Sequence, residues 1–264
     1  MIKVAVSGAA GRMGSAVARV AAGDADAVVT TAVERAGSGA IGQDLGTVAG
    51  AAGCTGVTIT DSLDGDFDVL IDFTTPAATV DYAKTCAENA RRMVIGTTGL
   101  SDADKAAITQ AAGRTAIVLA PNMSVGVTLC LRLLATAARA LGDAADIEIM
   151  EAHHRHKVDA PSGTALRMGE AVAAALGRDL AKDGVFARHG ATGPRPPGAI
   201  GFSTIRAADI VGEHSVWFAA PGERVEITHR AADRTNFAHG ALRAAKWLAA
   251  KERGLFDMGD VLGL

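Results

Sequence analysis

Residues 2 to 22 constrain the fold more than any other stretch of the chain. Ile2-Lys3-Val4-Ala5-Val6 is a β-branched run that stops at Ser7 and Gly8, and a helical pattern runs from Ser15 to Ala22 directly after Gly8-Ala9-Ala10-Gly11-Arg12-Met13-Gly14. A strand passing through a glycine turn into a helix is the opening of a dinucleotide-binding unit. Gly8 takes the positive φ of the turn, Gly11 lets backbone approach a pyrophosphate, and Gly14 permits close packing of helix on strand, with the helix N-terminus facing the anion. The Gly-x-x-Gly-x-x-Gly spacing differs from the commoner Gly-x-Gly-x-x-Gly, and any tight βα turn uses such glycines. Position at the end of the first strand is what favours the cofactor reading.

A second β run, Ala27 to Val33, ends in Glu34-Arg35. A dinucleotide-binding unit puts its ribose-reading residue there, and Glu34 follows Gly8 at a little more than the usual spacing of about 20 residues. Glu34 would accept hydrogen bonds from the adenosine ribose of NADH and Arg35 would pair with the 2′-phosphate of NADPH, so the two together predict use of both cofactors. The alternative is an exposed charged pair at a strand end. Residues 36 to 56 read as a glycine- and alanine-rich loop without an assignable function, and Val57 to Thr60 as a short strand. The βα alternation then continues. A strand over 66 to 73 leads to a helix from Pro76 to residue 90, Met93 to Ile95 leads to Gly96-Thr97-Thr98-Gly99 and a helix over 102 to 112, and Ala116 to Leu119 leads to Ala120-Pro121-Asn122-Met123. In an open parallel sheet the carboxyl ends of the strands line the ligand crevice, which makes Gly96 to Thr98 and Ala120 to Met123 candidates for the nicotinamide half; alone, each would be an ordinary turn.

After a long alanine- and leucine-rich helix pattern from Val125 to Leu141 the chain changes character. Ile147 and Ile149 mark a strand that leads to Glu151, and β-like runs at 201 to 206, 215 to 219 and 224 to 229 follow with only loops between. Residues 188 to 200 form a glycine- and proline-rich surface loop, a helix spans 236 to 251, and a short tail closes the chain. The expected architecture is α/β, a Rossmann-like doubly wound parallel sheet with a second α+β domain on a mixed or antiparallel sheet. Residues 1–124 with 237–264 are expected to form the dinucleotide-binding domain, and 125–236 a substrate-binding and oligomerisation domain. The net charge of -3 speaks against a nucleic-acid partner, since the basic field such binding needs is missing. Cys54, Cys86 and Cys130 are far apart and lack ligand spacing, so they read as buried apolar residues in a reducing compartment. No apolar run looks long enough for a membrane span and the N-terminus opens into a strand rather than a signal pattern, which places the protein in the cytoplasm.

Local charge is dense in one place. Glu151-Ala152-His153-His154-Arg155-His156-Lys157-Val158-Asp159-Ala160-Pro161-Ser162-Gly163-Thr164 holds three of the seven histidines and sets five potential cations side by side. Such side chains repel one another, so the arrangement asks for an anionic ligand or a proton transfer. Pro-Ser-Gly-Thr can start a helix whose N-terminus adds to an anion site. This fourteen-residue stretch, with the Gly8 to Gly14 turn, resembles the dihydrodipicolinate reductase family (4-hydroxy-tetrahydrodipicolinate reductases) of lysine and diaminopimelate biosynthesis, over nearly the whole chain.

The resemblance implies hydride transfer from NADH or NADPH to a cyclic unsaturated imine dicarboxylate, giving tetrahydrodipicolinate. Hydride addition leaves an electron-rich enamine carbon that must be protonated, and a histidine suits that task. By resemblance His153 is the acid, Lys157 a second proton donor, His154 a substrate contact, and Gly163 and Thr164 the carboxylate cradle with Ser162 beside them. It also assigns the cofactor to Gly8, Ala9, Ala10, Gly11, Arg12, Met13, Glu34, Arg35, Gly96, Thr97, Thr98, Ala120, Pro121, Asn122 and Met123, and implies a final helix that returns to the cofactor domain and a homotetramer. Some members carry an arginine where this chain has Thr75, which leaves the NADPH preference open. Domain closure would bring residues 151 to 164 over the nicotinamide. Two rivals remain: a metal site on His153, His156, His154 and Glu151, opposed by the neighbouring Arg155 and Lys157, and a nucleotide sensor that binds NAD(H) without turnover.

Overall fold

A computed structural model describes all 264 residues. In chain order the strands are β1 (Ile2–Ser7), β2 (Ala27–Val33), β3 (Ile59–Thr60), β4 (Val69–Asp72), β5 (Arg92–Ile95), β6 (Ala116–Leu119), β7 (Asp146–His153), β8 (Gly184–Val185), β9 (Ile200–Arg206), β10 (Gly212–Ala220), β11 (Glu223–Ala231) and β12 (Gly254–Phe256). The helices are α1 (Arg12–Ala22), α2 (Leu45–Ala49), α3 (Pro76–Glu88), α4 (Asp102–Ala112), α5 (Val125–Leu141), α6 (Gly163–Ala175), α7 (Leu180–Asp183), α8 (Thr235–Leu248) and α9 (Met258–Leu262). They form two compact units, Met1–Val125 with Arg234–Leu264, and Gly126–Asp233.

The first unit is a seven-stranded sheet in the order β12-β6-β5-β4-β1-β2-β3, parallel throughout. Its central strands are apolar along their length because both faces are covered. Val4, Val6, Ile71, Val94 and Val118 pack with α1 and α8, while Ala5, Leu70, Met93, Ile95 and Ile117 pack with α3 and α4. Successive residues of one strand thus serve opposite helical layers, the signature of a doubly wound sheet. Three elements differ from the sequence reading. The strand expected over 66 to 73 is confined to Val69–Asp72, because Asp66 turns away to Lys3. Within residues 36 to 56 lies the short helix α2, N-capped by Asp44, whose carboxylate accepts from the Thr47 amide at 2.9 Å. The tail adds β12 to the sheet edge beside β6, with Leu255 opposite Ile117.

The second unit is a mixed sheet in the order β11-β10-β7-β9-β8, antiparallel from β11 to β7 and parallel from β7 to β8. One face carries Ile147, Ile149, Ile200, Phe202, Val216 and Phe218 against Leu134 and Ala138 of α5 and Met168 and Val172 of α6. Contrary to the sequence expectation, residues 125 to 144 are long and apolar enough to cross a membrane, with a mean hydropathy of 1.4. Alanine, valine and leucine outweigh Arg132 and Arg139 in that window. The buried residues Val127, Cys130, Leu134 and Ala138 fall at helical spacing and form one stripe. The glycine- and proline-rich loop before β9 is pinned by a bidentate ion pair of Arg188 with Glu148 at 2.8 Å, and by Arg195, which reaches the same carboxylate at 3.1 Å.

The loops at the carboxyl ends of β1, β4 and β5 share a single fully buried acceptor, Asp72. Its Oδ1 accepts from the hydroxyls of Ser7 and Thr74, both at 2.6 Å, and its Oδ2 from Thr79 at 2.5 Å and Thr97 at 2.9 Å. Thr97 in turn accepts the Thr74 amide at 2.9 Å. Removing the acceptor costs several buried hydroxyls their partner, so Asp72→Ala is expected to lower unfolding free energy by about 3 kcal/mol or more, and Thr97→Val by about 1 kcal/mol. Urea denaturation followed by circular dichroism measures both.

Candidate active site

At the carboxyl end of β1 the chain turns through Gly8, at φ +59°, into α1. A β-carbon on Gly14 would lie 2.2 Å from the Gly8 carbonyl oxygen, so α1 can approach the turn this closely only with glycine there. The Glu34 carboxylate reaches back to this turn and accepts from the Ala10 amide at 3.2 Å, while the Ala9 amide donates to the Val33 carbonyl at 3.1 Å. Gly8 to Met13 and Glu34 are therefore one assembly. Arg12 and Arg35 beside it are exposed and engage no acidic partner. Gly96, Thr97 and Ala120 are buried at the ends of β5 and β6, Thr98 and Pro121 are exposed, and the Ala120 amide donates to the Ile95 carbonyl at 3.1 Å. The Asn122 side chain accepts from the Ser124 amide at 2.9 Å, and Met123 is buried. A glycine turn at the N-terminus of α1, an acid at that turn and two arginines without an acidic partner fit a dinucleotide.

The second unit builds its polar site on the core face of its own sheet. Along β7, Ile147 and Ile149 are followed on the same face by Glu151 and His153. The neighbours in register change likewise: Ile200 and Phe202 give way to Thr204 and Arg206 on β9, and Phe218 and Val216 to His214 on β10. Three strands thus turn from apolar to polar at one end of the core. Glu151, 2% exposed, is the centre. Its oxygens accept from both terminal nitrogens of Arg206 at 2.7 Å, from His153 Nδ1 at 2.6 Å and from the Ser162 amide at 3.0 Å. Burial pushes the Glu151 carboxyl up, but Arg206, His153 and the Ser162 amide together hold it below the usual glutamate value.

Ser162 caps α6, its hydroxyl accepting from the Ala165 amide at 3.2 Å and bonding to His214 Nε2 at 2.9 Å. The hydroxyl is thus engaged within the protein, whereas Gly163 at the first turn is exposed with open space around it. The His214 ring stands edge-on to His153, 5.1 Å between centroids. Arg206 also holds the Asp159 carbonyl at 2.6 Å, which folds the segment between β7 and α6 around the guanidinium. On that segment Lys157 pairs with Asp159 at 2.7 Å, His154 is half-buried 6.3 Å from the His156 ring, and Arg155 and His156 are exposed. No three His, Cys, Asp or Glu side chains converge here or elsewhere to hold a metal ion. Arg206 and His214 were not assigned roles from sequence, and Glu151 entered only the rival metal reading. Their available signal is a polar residue at a core-facing strand position, two residues from an apolar one.

Burial lowers three imidazoles. His214 falls to about 4 with His153 adding to the effect, His153 falls despite the opposing pull of Glu151, and His229 falls by burial alone. The unfolded chain, with imidazoles near about 6.5, therefore takes up protons first as pH drops. Their contribution to stability is whole above that pH and is lost progressively towards pH about 4, where His214 itself titrates. Tm is expected to fall across this window in thermal unfolding, and to fall less steeply in His214→Gln.

Two family models match the chain almost end to end: dihydrodipicolinate reductase, N-terminus, over residues 2–123, and dihydrodipicolinate reductase, C-terminus, over residues 126–262. Among solved structures the chain is similar to a dipicolinate-bound dihydrodipicolinate reductase from Paenisporosarcina sp. TG-14, with a TM-score of 0.75, 22% identity and 97% of each chain covered. It is similar also to a probable dehydrogenase from Thermotoga maritima, with a TM-score of 0.63 and 11% identity over 98% of this chain and 92% of that one. GenD2 from gentamicin A biosynthesis, in complex with NAD, gives a TM-score of 0.58 and 17% identity over 99% and 90%. At these identities the structures speak for the Rossmann-like fold, and the two models carry the assignment. The chain belongs to the dihydrodipicolinate reductase family, NAD(P)H-dependent enzymes that reduce dihydrodipicolinate to tetrahydrodipicolinate in lysine and diaminopimelate biosynthesis.

Proposed function

We propose that His153 is the general acid of this reduction, and that Lys157, His154, Gly163 and Thr164, with Ser162 behind them, receive a dicarboxylate substrate. One observation carries the reading: His153 Nδ1 is held by the buried Glu151 at 2.6 Å, which leaves Nε2, without a partner in the chain, as the nitrogen that can deliver a proton. When bound, NADH or NADPH supplies the hydride. Hydride addition to the conjugated imine leaves an enamine carbon, and His153 Nε2–H protonates it. Burial disfavours the imidazolium in the free protein; a dianion beside the ring offsets that and favours the protonated form. Lys157 exchanges its Asp159 partner for a substrate carboxylate and serves as a second proton donor. The amides that open α6 at Gly163 and Thr164 hold the other carboxylate with the helix dipole. The dipicolinate carried by the Paenisporosarcina reductase, a pyridine dicarboxylate, supports this ligand class.

In the same reading the first unit binds the dinucleotide through Gly8 to Met13, Gly96 to Thr98 and Ala120 to Met123, with Glu34 on the NADH ribose and Arg35 on the NADPH phosphate. The second unit binds substrate and assembles a homotetramer through the sheet face opposite its core, which carries Met150, Trp217 and Ile205, the last 53% exposed. A cytoplasmic location accords with three buried free cysteines.

His153→Gln and Lys157→Ala are each expected to lower turnover by about a hundredfold or more while NADH binding survives. NADH oxidation with the freshly formed condensation product of pyruvate and aspartate semialdehyde reads the first, and nucleotide fluorescence the second; wild-type turnover in His153→Gln removes the acid assignment. Glu34→Ala should weaken NADH more than NADPH, and Arg35→Ala the reverse, in titrations of each cofactor. Equal effects on both would mean that the ribose site lies elsewhere.

A further inference from the structure

We infer that Glu151 is the positioning residue for His153, fixing which ring nitrogen carries the reacting proton, and that Arg206 sets how strongly it does so. The inference rests on the reading of His153 as the acid. A carboxylate has only lone pairs to offer, so the 2.6 Å contact requires the proton to stay on Nδ1. Nε2 is then the nitrogen that gains and loses a proton. Room for it exists because residue 212 is glycine: a β-carbon there would lie 3.1 Å from Nε2. His214 closes the ring in from the side, edge-on at 5.1 Å.

Glu151 is equally prevented from moving. The Arg206 fork, the Ser162 amide and His153 occupy both of its oxygens, so it neither rotates away nor takes the proton from the ring. It therefore acts as a fixed anion rather than as a relay, and Arg206 competes with His153 for its charge. The charged or titratable groups facing His153 are Glu151 on its own strand, Arg206 on β9, His214 on β10 and Lys157 on the following segment. Among these Glu151 alone favours the imidazolium, and Lys157 and Arg206 oppose it. The two substitutions that follow have opposite signs.

Long-range nitrogen–proton NMR spectra of uniformly 15N-labelled, ligand-free protein across a pH titration test this, with the His153 signals identified by their loss in His153→Gln. The wild-type ring is expected to be the Nδ1–H tautomer when neutral. In Glu151→Gln the single amide oxygen is drawn to Arg206 and the Ser162 amide, so its NH2 group faces the ring. The tautomer should switch to Nε2–H and the His153 titration should move to lower pH. Arg206→Gln should keep the Nδ1–H tautomer and move the titration to higher pH. In turnover, Glu151→Gln should lower kcat by about a hundredfold while pyridine-2,6-dicarboxylate affinity changes by less than about threefold. A wild-type Nε2–H tautomer, or an unchanged tautomer and titration in Glu151→Gln, overturns the inference. Should Glu151→Gln fail to fold, Arg206→Gln alone decides: a titration that does not rise overturns it. The NMR arm needs neither substrate nor cofactor, so it fails separately from the reductase reading.

Discussion

A carboxylate withdrawn from water has to be met by donors, and each unit of this protein ends its sheet on one that is. Asp72 is met by neutral hydroxyls from Ser7, Thr74, Thr79 and Thr97. Those residues belong to different strand ends and to α3, so satisfying the acid and fixing the loops are one event. Glu151 is met by a guanidinium, an imidazole and an amide. Its satisfaction fixes geometry too, but it also leaves a charged ensemble whose balance sets the proton affinity of His153. In the proposed reading the first arrangement shapes a binding surface and the second prepares a reaction.

This difference follows from the sheets. In the parallel sheet both faces of the central strands are covered, and the fully buried acid stands where its strand stops. Asp72 is the last residue of β4. In the mixed sheet the site is reached within the strands, because β7, β9 and β10 all turn polar at the same level. Glu151 therefore stands on strand backbone, met by Arg206 from the adjacent β9, by His153 on its own strand and by the Ser162 amide at the start of α6. Side chains held in this way keep their geometry without help from a ligand.

Much of the first unit was legible because buried parallel strands and alanine-rich helices leave simple patterns. The helix over 102 to 112 and the strand over 116 to 119 stand where their residues indicate. The edge strand β12 was not legible, since Gly-Leu-Phe is too short to carry a pattern and pairs only because β6 leaves its edge open. In the second unit, charge density drew attention to the fourteen-residue basic stretch, and the roles of its residues came from the resemblance. What organises that stretch, Arg206 and His214, lies more than a strand away in sequence, and register is what brings them in. Membership of the site for these two is a property of pairing, which residue chemistry does not announce. The apolar length of residues 125 to 144 shows the converse: composition there resembles a membrane span, while the spacing of its buried residues is that of a single helical stripe.

Ser162 joins the two tasks of the second unit. Its hydroxyl caps α6 and meets His214, and its amide, at the positive end of the helix, donates to Glu151. Part of that helix terminus is thus spent on the Glu151 carboxylate, while Gly163, one residue on, faces outward with open space around it. In the proposed reading a substrate carboxylate docks at that outward side. The same terminus then fixes the acid from within and the substrate from without, so their spacing is set by the backbone of residues 162 to 164 rather than by flexible side chains. In that reading Ser162, through its cap and its amide, governs where the proton is delivered.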